Sequence, residues 1–468
     1  MPSIPNVKEL NANTVQILNA IRNGASESYR SAVPTADGTN DNIRAIGDIV
    51  NFSTDFQNEF VSALINRIAR VIVTSKMYSN PWSMFKRGVM EYGETIEEIF
   101  VNIAKPFTYN PATAENTVFR REIPDVRSAF HMVNYKKFYK DTIEDEDLRM
   151  AFLSMDGVTG LIAYIVDSMY TGAEYDEYVT MKYMLARHIL NGQFAPVQVA
   201  SVSSANMKTI ASTIKTTSND LTFLSPNYNY SGVQNSTAKT DQYIIMTTAF
   251  DAVMDVEVLA EAFNMDRADF VGRKVLVDGF GNLDTARLAD LFAGDPNYTP
   301  LTSNELTALA TIPAVLVDRE FFMIFDNLMK FAEIYNPEGL YWNYFYHAWK
   351  TFSVSPFANA VVFVPGTPSI TSVVVSPATA TITAGASVQF SAAVVAANFA
   401  DKRVTWSAVL TISGDSVDLE DYTGDITLTQ NGLLKVGSSV ADVTAITVKA
   451  TSNFDSTVYG TATVTISS

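Results

Sequence analysis

A chain of 468 residues with 47% hydrophobic and 18% charged side chains has material for two or three packed domains, which excludes a disordered polypeptide. Its 33 basic against 50 acidic residues leave a net charge of -17, a surface that repels phosphate backbones and argues against specific nucleic-acid recognition. Cysteine is absent and histidine occurs three times, so disulfide staples, thiolate nucleophiles and iron–sulfur clusters are excluded, and an imidazole metal cage is not expected.

The first 23 residues mix polar residues throughout and lack the apolar core of a secretion signal, so no such routing is expected. The longest apolar runs, such as Phe357 to Val364, are strand-sized, so no membrane span is expected either. Thr54-x-x-Gln57 fits a capping box, and Phe56, Phe60, Leu64, Ile68 and Val71 follow at spacings of three and four, predicting a helix with one buried stripe. Between Phe85 and Lys105, Lys86-Arg87-Gly88 and Tyr92-Gly93 punctuate an alternating Ile99, Val101, Ile103 pattern, which reads as a hairpin or long loop leaving the body. A much longer helix is predicted over Asp156 to Leu190, stopped by Asn191-Gly192, with Gly172 as an expected bend. Unbroken, it would measure about 50 Å, more than a compact domain needs and suited to a scaffold rod crossing a broad subunit. Past residue 240, strands are expected at Tyr243 to Met246, Lys274 to Val277, Ala314 to Val317 and Ala360 to Val364, with a helix at about Val253 to Met265.

Composition changes near Pro365-Gly366-Thr367-Pro368, a segment that continues neither a helix nor a central strand. From 367 onward, Ser and Thr supply 31 of 102 residues and only four are basic. Apolar residues recur at period two in Val388/Phe390/Ala392/Val394, Val404/Trp406, Ile426/Leu428, Leu434/Val436, Ile446/Val448/Ala450 and Ala462/Val464/Ile466. Turn signals at Ser376-Pro377, Ala384-Gly385 and Asn431-Gly432 separate them, predicting an all-β sandwich with Trp406 as its central core side chain.

Residues suited to chemistry are sparse. His131, His188 and His347 lie far apart without acids at metal-ligand spacing and read as structural histidines. There is no Gly-x-Ser-x-Gly elbow or phosphate-binding loop, and Asp278-Gly279-Phe280-Gly281-Asn282 reads as a turn. The run Asp141, Glu144, Asp145, Glu146, Asp147 lacks the glycine of a calcium loop and reads as the acidic start of a helix; Asp418, Glu420, Asp421 and Asp425 read as a solvated loop. The aromatic block Leu340 to Trp349 has only Lys350 nearby and reads as core or subunit contact rather than a base-stacking platform. No catalytic, cofactor-binding or metal-ligating residue is assigned, and a non-enzymatic structural or binding protein is expected.

Several blocks stand out: Thr95-Ile96-Glu97-Glu98-Ile99, Phe138-Tyr139 with Thr142-Ile143, Ala262-Phe263-Asn264-Met265 with Asp269-Phe270, Val277-Asp278-Gly279-Phe280, and above all Asn336-Pro337 to Val364. Through them the chain resembles the major head (capsid) proteins of phi-twenty-nine-like short-tailed phages. The tail is similar to bacterial Ig-like domains of group 2 through Ser376-Pro377, Gly385, Val404-Thr405-Trp406-Ser407 and Gly432-Leu433-Leu434. The resemblance implies an α+β, HK-ninety-seven-type capsid fold over residues 1–364, with an extended loop at about 85–105 and a spine helix at about 156–190. A linker at 365–368 and an Ig-like β-sandwich at 369–468 would follow. It also implies self-assembly into hexamers and pentamers of an icosahedral or prolate head, with a scaffolding protein, a portal vertex and packaged double-stranded DNA as partners. Assembly is expected in the host cytoplasm and residence in the virion. The sandwich is expected on the outer surface, with host-surface polysaccharide as a ligand by analogy alone. The rival reading, a bacterial surface or adhesive protein with an Ig-like module, predicts a secretion signal and repeated sandwiches, neither of which is read in the sequence.

Overall fold

The computed structural model describes residues 14–53, 55–60, 63, 78–90, 95–104, 106–107, 124–144, 146, 151–152, 166–257, 273–412, 414–422, 424–438, 440 and 442–467. The elements begin with helices α1 (Thr14–Gly24), α2 (Glu27–Ala32) and α3 (Asn40–Phe52), then strands β1 (Lys86–Val89), β2 (Ile96–Val101), β3 (Val126–His131) and β4 (Tyr135–Glu144). A π-helical turn over Val166–Tyr170 leads into α4 (Thr171–Leu190), followed by β5 (Ala195–Val199), α5 (Met207–Asp220), β6 (Gln242–Thr247), α6 (Thr248–Glu257) and β7 (Arg273–Val277). Then come α7 (Thr285–Leu291), α8 (Ser303–Ala310), β8 (Ala314–Asp318), β9 (Phe322–Asn336), β10 (Tyr341–Val354) and β11 (Ala360–Pro365). The C-terminal strands are β12 (Ser369–Ser376), β13 (Thr379–Thr383), β14 (Ser387–Gln389), β15 (Ser391–Ala397), β16 (Val404–Ile412), β17 (Asp415–Asp418), β18 (Ile426–Leu428), β19 (Leu433–Val436), β20 (Val443–Ser452) and β21 (Tyr459–Ser467).

The chain divides into two compact units: residues 1–97, 130–181 and 323–353 form the first, and 98–129, 182–322 and 354–468 the second. The first is built on a sheet of order β1-β9-β10-β4, in which β10 and β4 run antiparallel from Tyr341↔Glu144 to Lys350↔Tyr135. Strand β10 alternates strictly: Trp342, Tyr344, Tyr346 and Ala348 are buried, while Tyr341, Asn343, Phe345, His347 and Trp349 are half-buried on the opposite face. That period of two sets the buried rings against Ile17, Ile21, Ile43 and Val50 of the N-terminal helices and against Met169 and Tyr170. Tyr346 stacks on Phe331 at 4.8 Å and on Tyr170 at 4.9 Å, and Trp342 lies 4.9 Å from Tyr335.

A buried ionic cluster joins α4 to three strands of this sheet. Glu177, fully buried on α4, accepts from Lys86 of β1 at 3.2 Å, from Lys350 of β10, and from the side-chain amide of Asn80 at 2.6 Å. Asp326 of β9 takes the second contact of both lysines, at 2.7 Å from Lys86 and 3.5 Å from Lys350. Burial, and after it the neighbouring Lys86 ammonium, push Lys350 down to about 7 against the opposing pull of Glu174.

The second unit contains a sheet of order β5-β11-β8-β6-β7, mixing parallel pairs (β11 with β5, β6 with β7) and antiparallel ones (β8 with β11 and β6). Its central strands are buried on both faces, which is why β8 (Ala-Val-Leu-Val-Asp) and β11 read as unbroken apolar runs. Helix α5 covers one face with Met207, Ile210 and Ile214 against Ile244, Leu316 and Phe363. The end of α4 staples the surrounding loops: Lys182 bonds Asp278 at 2.5 Å and the Asn282 carbonyl at 2.6 Å, and Arg187 pairs with Glu305 at 3.1 Å.

Residues beyond Pro365 form three small sheets, β12-β15, β13-β21-β20-β16-β17 and β14-β19-β18, enclosing one apolar core. Its fully buried centre is Phe390, Leu410, Leu434, Ile446, Val448 and Val464, with Trp406 packed beside Phe390 at 6.4 Å rather than at the middle. The run Val388 to Val394 is not one strand: the chain leaves β14 at Phe390 and enters β15 in a different sheet while keeping its alternation. Gly432 turns the chain with φ +80°, and a Cβ there would lie 2.4 Å from the Phe390 carbonyl, so the Asn-Gly turn needs glycine on both counts.

Other expectations need correction. The segment 85–105 is not one element: Lys86–Val89 is a strand paired in parallel with β9, and the hairpin pairs β2 with β3, so its second arm lies beyond 105. Asp141 and Glu144 do not begin a helix; they lie in β4, because the alternation Tyr135, Tyr139, Asp141, Ile143 continues the strand to Glu144. The irregularity before α4 falls at Val166–Tyr170, while Gly172 lies inside the α-helix, and residues 156–165 of the expected rod lie outside the described residues. Thr54 and Leu64 to Val71 lie outside them too, although 55–60 are helical. Helix α6 starts at Thr248, where Thr247 Oγ1 accepts from the Phe250 amide at 3.2 Å and caps it; 258–265 lie outside the described residues.

Removing Glu177 leaves the buried Lys350 and the half-buried Lys86 with only the single carboxylate of Asp326 between them. Glu177→Ala is therefore expected to destabilise the subunit by about 3–5 kcal/mol, read as a lowered urea midpoint; a loss below 1 kcal/mol refutes the cluster's role. An ammonium with a depressed folded-state pKa binds fewer protons folded than unfolded between about 7 and its unfolded value of about 10.4. The penalty is fully present below about 7 and recedes as pH rises. Wild type should thus gain on Lys350→Met by up to about 1.4 kcal/mol per unit between about pH 7 and 9, and a flat difference refutes the assignment.

Candidate assembly surfaces

The described residues offer two surfaces whose side chains the fold itself leaves uncovered. The first is strand β2. Its inward residues are fixed within the second unit: Glu98 accepts from Ser355 Oγ at 2.6 Å, Phe100 stacks on Phe357 at 5.6 Å, and Asn102 Oδ1 accepts from the Gln234 amide at 3.2 Å. Across the hairpin, Asn102 donates through backbone and side chain to Asp125, at 2.9 and 3.1 Å, and Arg127 pairs with Asp125 and donates to the Ser231 carbonyl. With alternate residues so anchored, period two directs the others outward: Ile99, Val101 and Ile103 are 59%, 58% and 62% exposed, and Glu97 is exposed beside them. Glu97, Ile99 and Val101 thus stand in a row on one face of β2, with Ile103 just past its end.

The second surface is the outer face of the sheet in the first unit. Lys136, Phe138 and Lys140 of β4 are exposed and stand opposite Trp349, His347 and Phe345 of β10. Lys136 Nζ lies 5.0 Å over the Trp349 ring and Lys140 Nζ 5.8 Å over Phe345, while Phe138 sits 6.0 Å from Phe345 and 5.7 Å from His347. This is a cationic, aromatic ladder on a protein that is acidic overall.

The structure places the three histidines apart. His131 is buried with Nδ1 at 2.7 Å from Ser353 Oγ, His188 bonds Gln193 and is pushed down by burial, and His347 belongs to the ladder. Among the described residues, no three His, Asp or Glu side chains are grouped to hold a metal ion, and no helix is long and apolar enough to cross a membrane. Of the aromatic block Leu340 to Trp349, one face of β10 is core, and the other carries the half-buried rings of the ladder. Reasoning from sequence missed Lys136 and Lys140, whose signal was the alternation Lys136, Phe138, Lys140 preceding the acidic run.

Residues 18–364 match the family described as Phi29-like phage major capsid protein. The chain is 36% identical to the major capsid protein of Bacillus phage PZA over 440 residues, covering 93% of this chain and 89% of that one. It is likewise 36% identical to the major capsid protein of Bacillus phage B103 over 444 residues, covering 93% and 89%. Among solved structures, a chain in the capsid of Staphylococcus phage Andhra aligns with a TM-score of 0.49 at 15% identity, covering 63% of this chain and 86% of that one.

Exposed side chains contribute little to the fold, so Ile99→Ser with Val101→Ser should leave the free subunit's stability within about 0.5 kcal/mol per site by urea unfolding; a larger loss would place them in the subunit's own core.

Proposed function

Since the chain belongs to the Phi29-like phage major capsid proteins, structural proteins of the virion that self-associate and are not enzymes, we propose that it tiles the head as an HK-ninety-seven-type subunit through the two open faces described above. The observation that carries this is the family match over residues 18–364, joined to the complementary character of those faces. On strand β2 they are apolar and acidic (Ile99, Val101, Glu97); on the sheet they are aromatic and cationic (Phe138, Lys136, Lys140). Strand β2 of one copy lies on the ladder of its neighbour, burying the branched side chains against rings and setting Glu97 near the lysines. Each contact is small, and closed symmetry repeats it around every hexamer and pentamer until the sum holds a shell.

The finer picture follows the same reading. The shell is icosahedral or prolate, forms in the host cytoplasm on a scaffolding protein, closes at a portal and encloses double-stranded DNA. The net charge of -17 supports that last role by keeping packed DNA from adhering to the wall. The strands from 369 onward form an Ig-like module after the 365–368 linker, on the outer surface, with host polysaccharide as its ligand.

The absence of cysteine makes a direct test available. In shells assembled from Ile99→Cys, Phe138→Cys protein, oxidation should link copies into covalent ladders on non-reducing gels, with neither single variant doing so. Copies that remain unlinked in well-formed shells would overturn the pairing. Ile99→Glu with Val101→Glu should lower shell yield at least about tenfold by light scattering and negative-stain microscopy, and an unchanged yield would overturn the role of β2.

A further inference from the structure

The tail beyond residue 366 holds four basic residues, and two of them, Lys402 and Arg403, are adjacent. Both point away from the tail's own core. Lys402 Nζ donates at 2.7 Å to the carbonyl of Leu190, the last residue of α4. A helix end exposes unpaired carbonyls and the negative pole of its dipole, so an ammonium there is favourably placed. Arg403 donates to the carbonyls of Asn229, at 3.1 Å, and Tyr230, and its guanidinium lies 5.5 Å from the Tyr230 ring centroid.

The receiving side is shaped for this contact. Gly192, two residues past α4, has φ +71°, and a Cβ on it would fall 2.8 Å from the Ala400 carbonyl and 2.9 Å from the Lys402 amide. Asn229 is buried and held by Val233, donating to its carbonyl and accepting from its amide, both at 2.8 Å, which fixes the carbonyl that Arg403 meets. The delivering side is equally fixed. Asp401 grips Arg403 through its backbone amide at 2.8 Å and its Nε at 2.7 Å, and the Arg403 carbonyl accepts from Asn453 at 3.0 Å. Asn398 and Phe399, both at positive φ, force the chain into the tight turn that presents these side chains, and Asn398 also donates to the Thr367 carbonyl at 2.9 Å. Residues 182–322 and 354–468 accordingly form one compact unit.

We propose that the turn from Asn398 to Arg403 is a latch that locks the C-terminal strand domain to the end of α4 and the 229–232 loop, so that this domain is a rigid part of its unit and not a decoration swinging on the Pro-Gly-Thr-Pro segment. The latch makes its orientation a fixed property of each copy, which a module carried on a free tether would lack. It is independent of how copies pair.

Spin labels on Ala289→Cys in α7 and Ser416→Cys in β17, both exposed, report the distance across the latch in the otherwise cysteine-free full chain. The unmodified latch should give one narrow distance distribution. Lys402→Met with Arg403→Leu, or Gly192→Val from the opposite side of the contact, should broaden it about twofold or more, as a four-residue tether would. Amide exchange over β20 and β21 checks that the domain stays folded, and the two variants fail independently. A broad distribution in the unmodified latch, or a width unchanged in a folded variant, overturns the proposal.

Discussion

Everything in the first unit turns on how a charged group is accommodated where water cannot reach. Glu177 sits on α4 with no exposed surface, and it is tolerable there because Lys86, Lys350 and Asn80 converge on it from two strands and the segment ahead of β1. A single carboxylate in that position would cost several kcal/mol; with its partners it becomes a pin that accepts one register only. Sliding β10 by one residue would turn Lys350 out to solvent, bring Trp349 inward and leave Glu177 facing a ring. The cluster thereby fixes which face of β10 meets the helices.

That choice of face produces the outer surface. Once Trp342, Tyr344, Tyr346 and Ala348 are committed to the core, Phe345, His347 and Trp349 have to face out, and their neighbours across the strand pair are Lys136, Phe138 and Lys140. The same rule operates on β2, where the anchoring of Glu98, Phe100 and Asn102 sends Ile99 and Val101 the other way. Both open faces are thus by-products of well-satisfied inner ones. A protein that works by tiling needs surfaces of this kind, firm in geometry and indifferent to its own folding stability.

In the second unit the chain uses two of its four tail cations at one place. Lys435 and Lys449 lie on strands of the tail, while Lys402 and Arg403 meet backbone carbonyls outside it. Carbonyl oxygens at a helix end and in a tight loop are acceptors that the tail's many hydroxyl side chains could not meet with a full positive charge.

The strands of the second unit's mixed sheet were legible as apolar runs because β6, β8 and β11 are buried on both faces, and β6, β7, β8 and β11 fall within a residue or two of Tyr243 to Met246, Lys274 to Val277, Ala314 to Val317 and Ala360 to Val364. The alternation in the tail was legible for a different reason, one face wet and one dry. By itself the sequence determined the alternating strands of the tail, the acidic cysteine-free character and the kinship to capsid proteins, since periodicity, composition and matching blocks are local properties of the chain. Only the tertiary structure decided that Phe390 rather than Trp406 centres the tail core, that Val388 to Val394 serves two sheets, that Asp141 ends up inside a strand and that Lys402 reaches Leu190 across 212 positions of sequence. Those facts depend on which segments meet in space, and a pairing between distant segments leaves no periodic trace in either one.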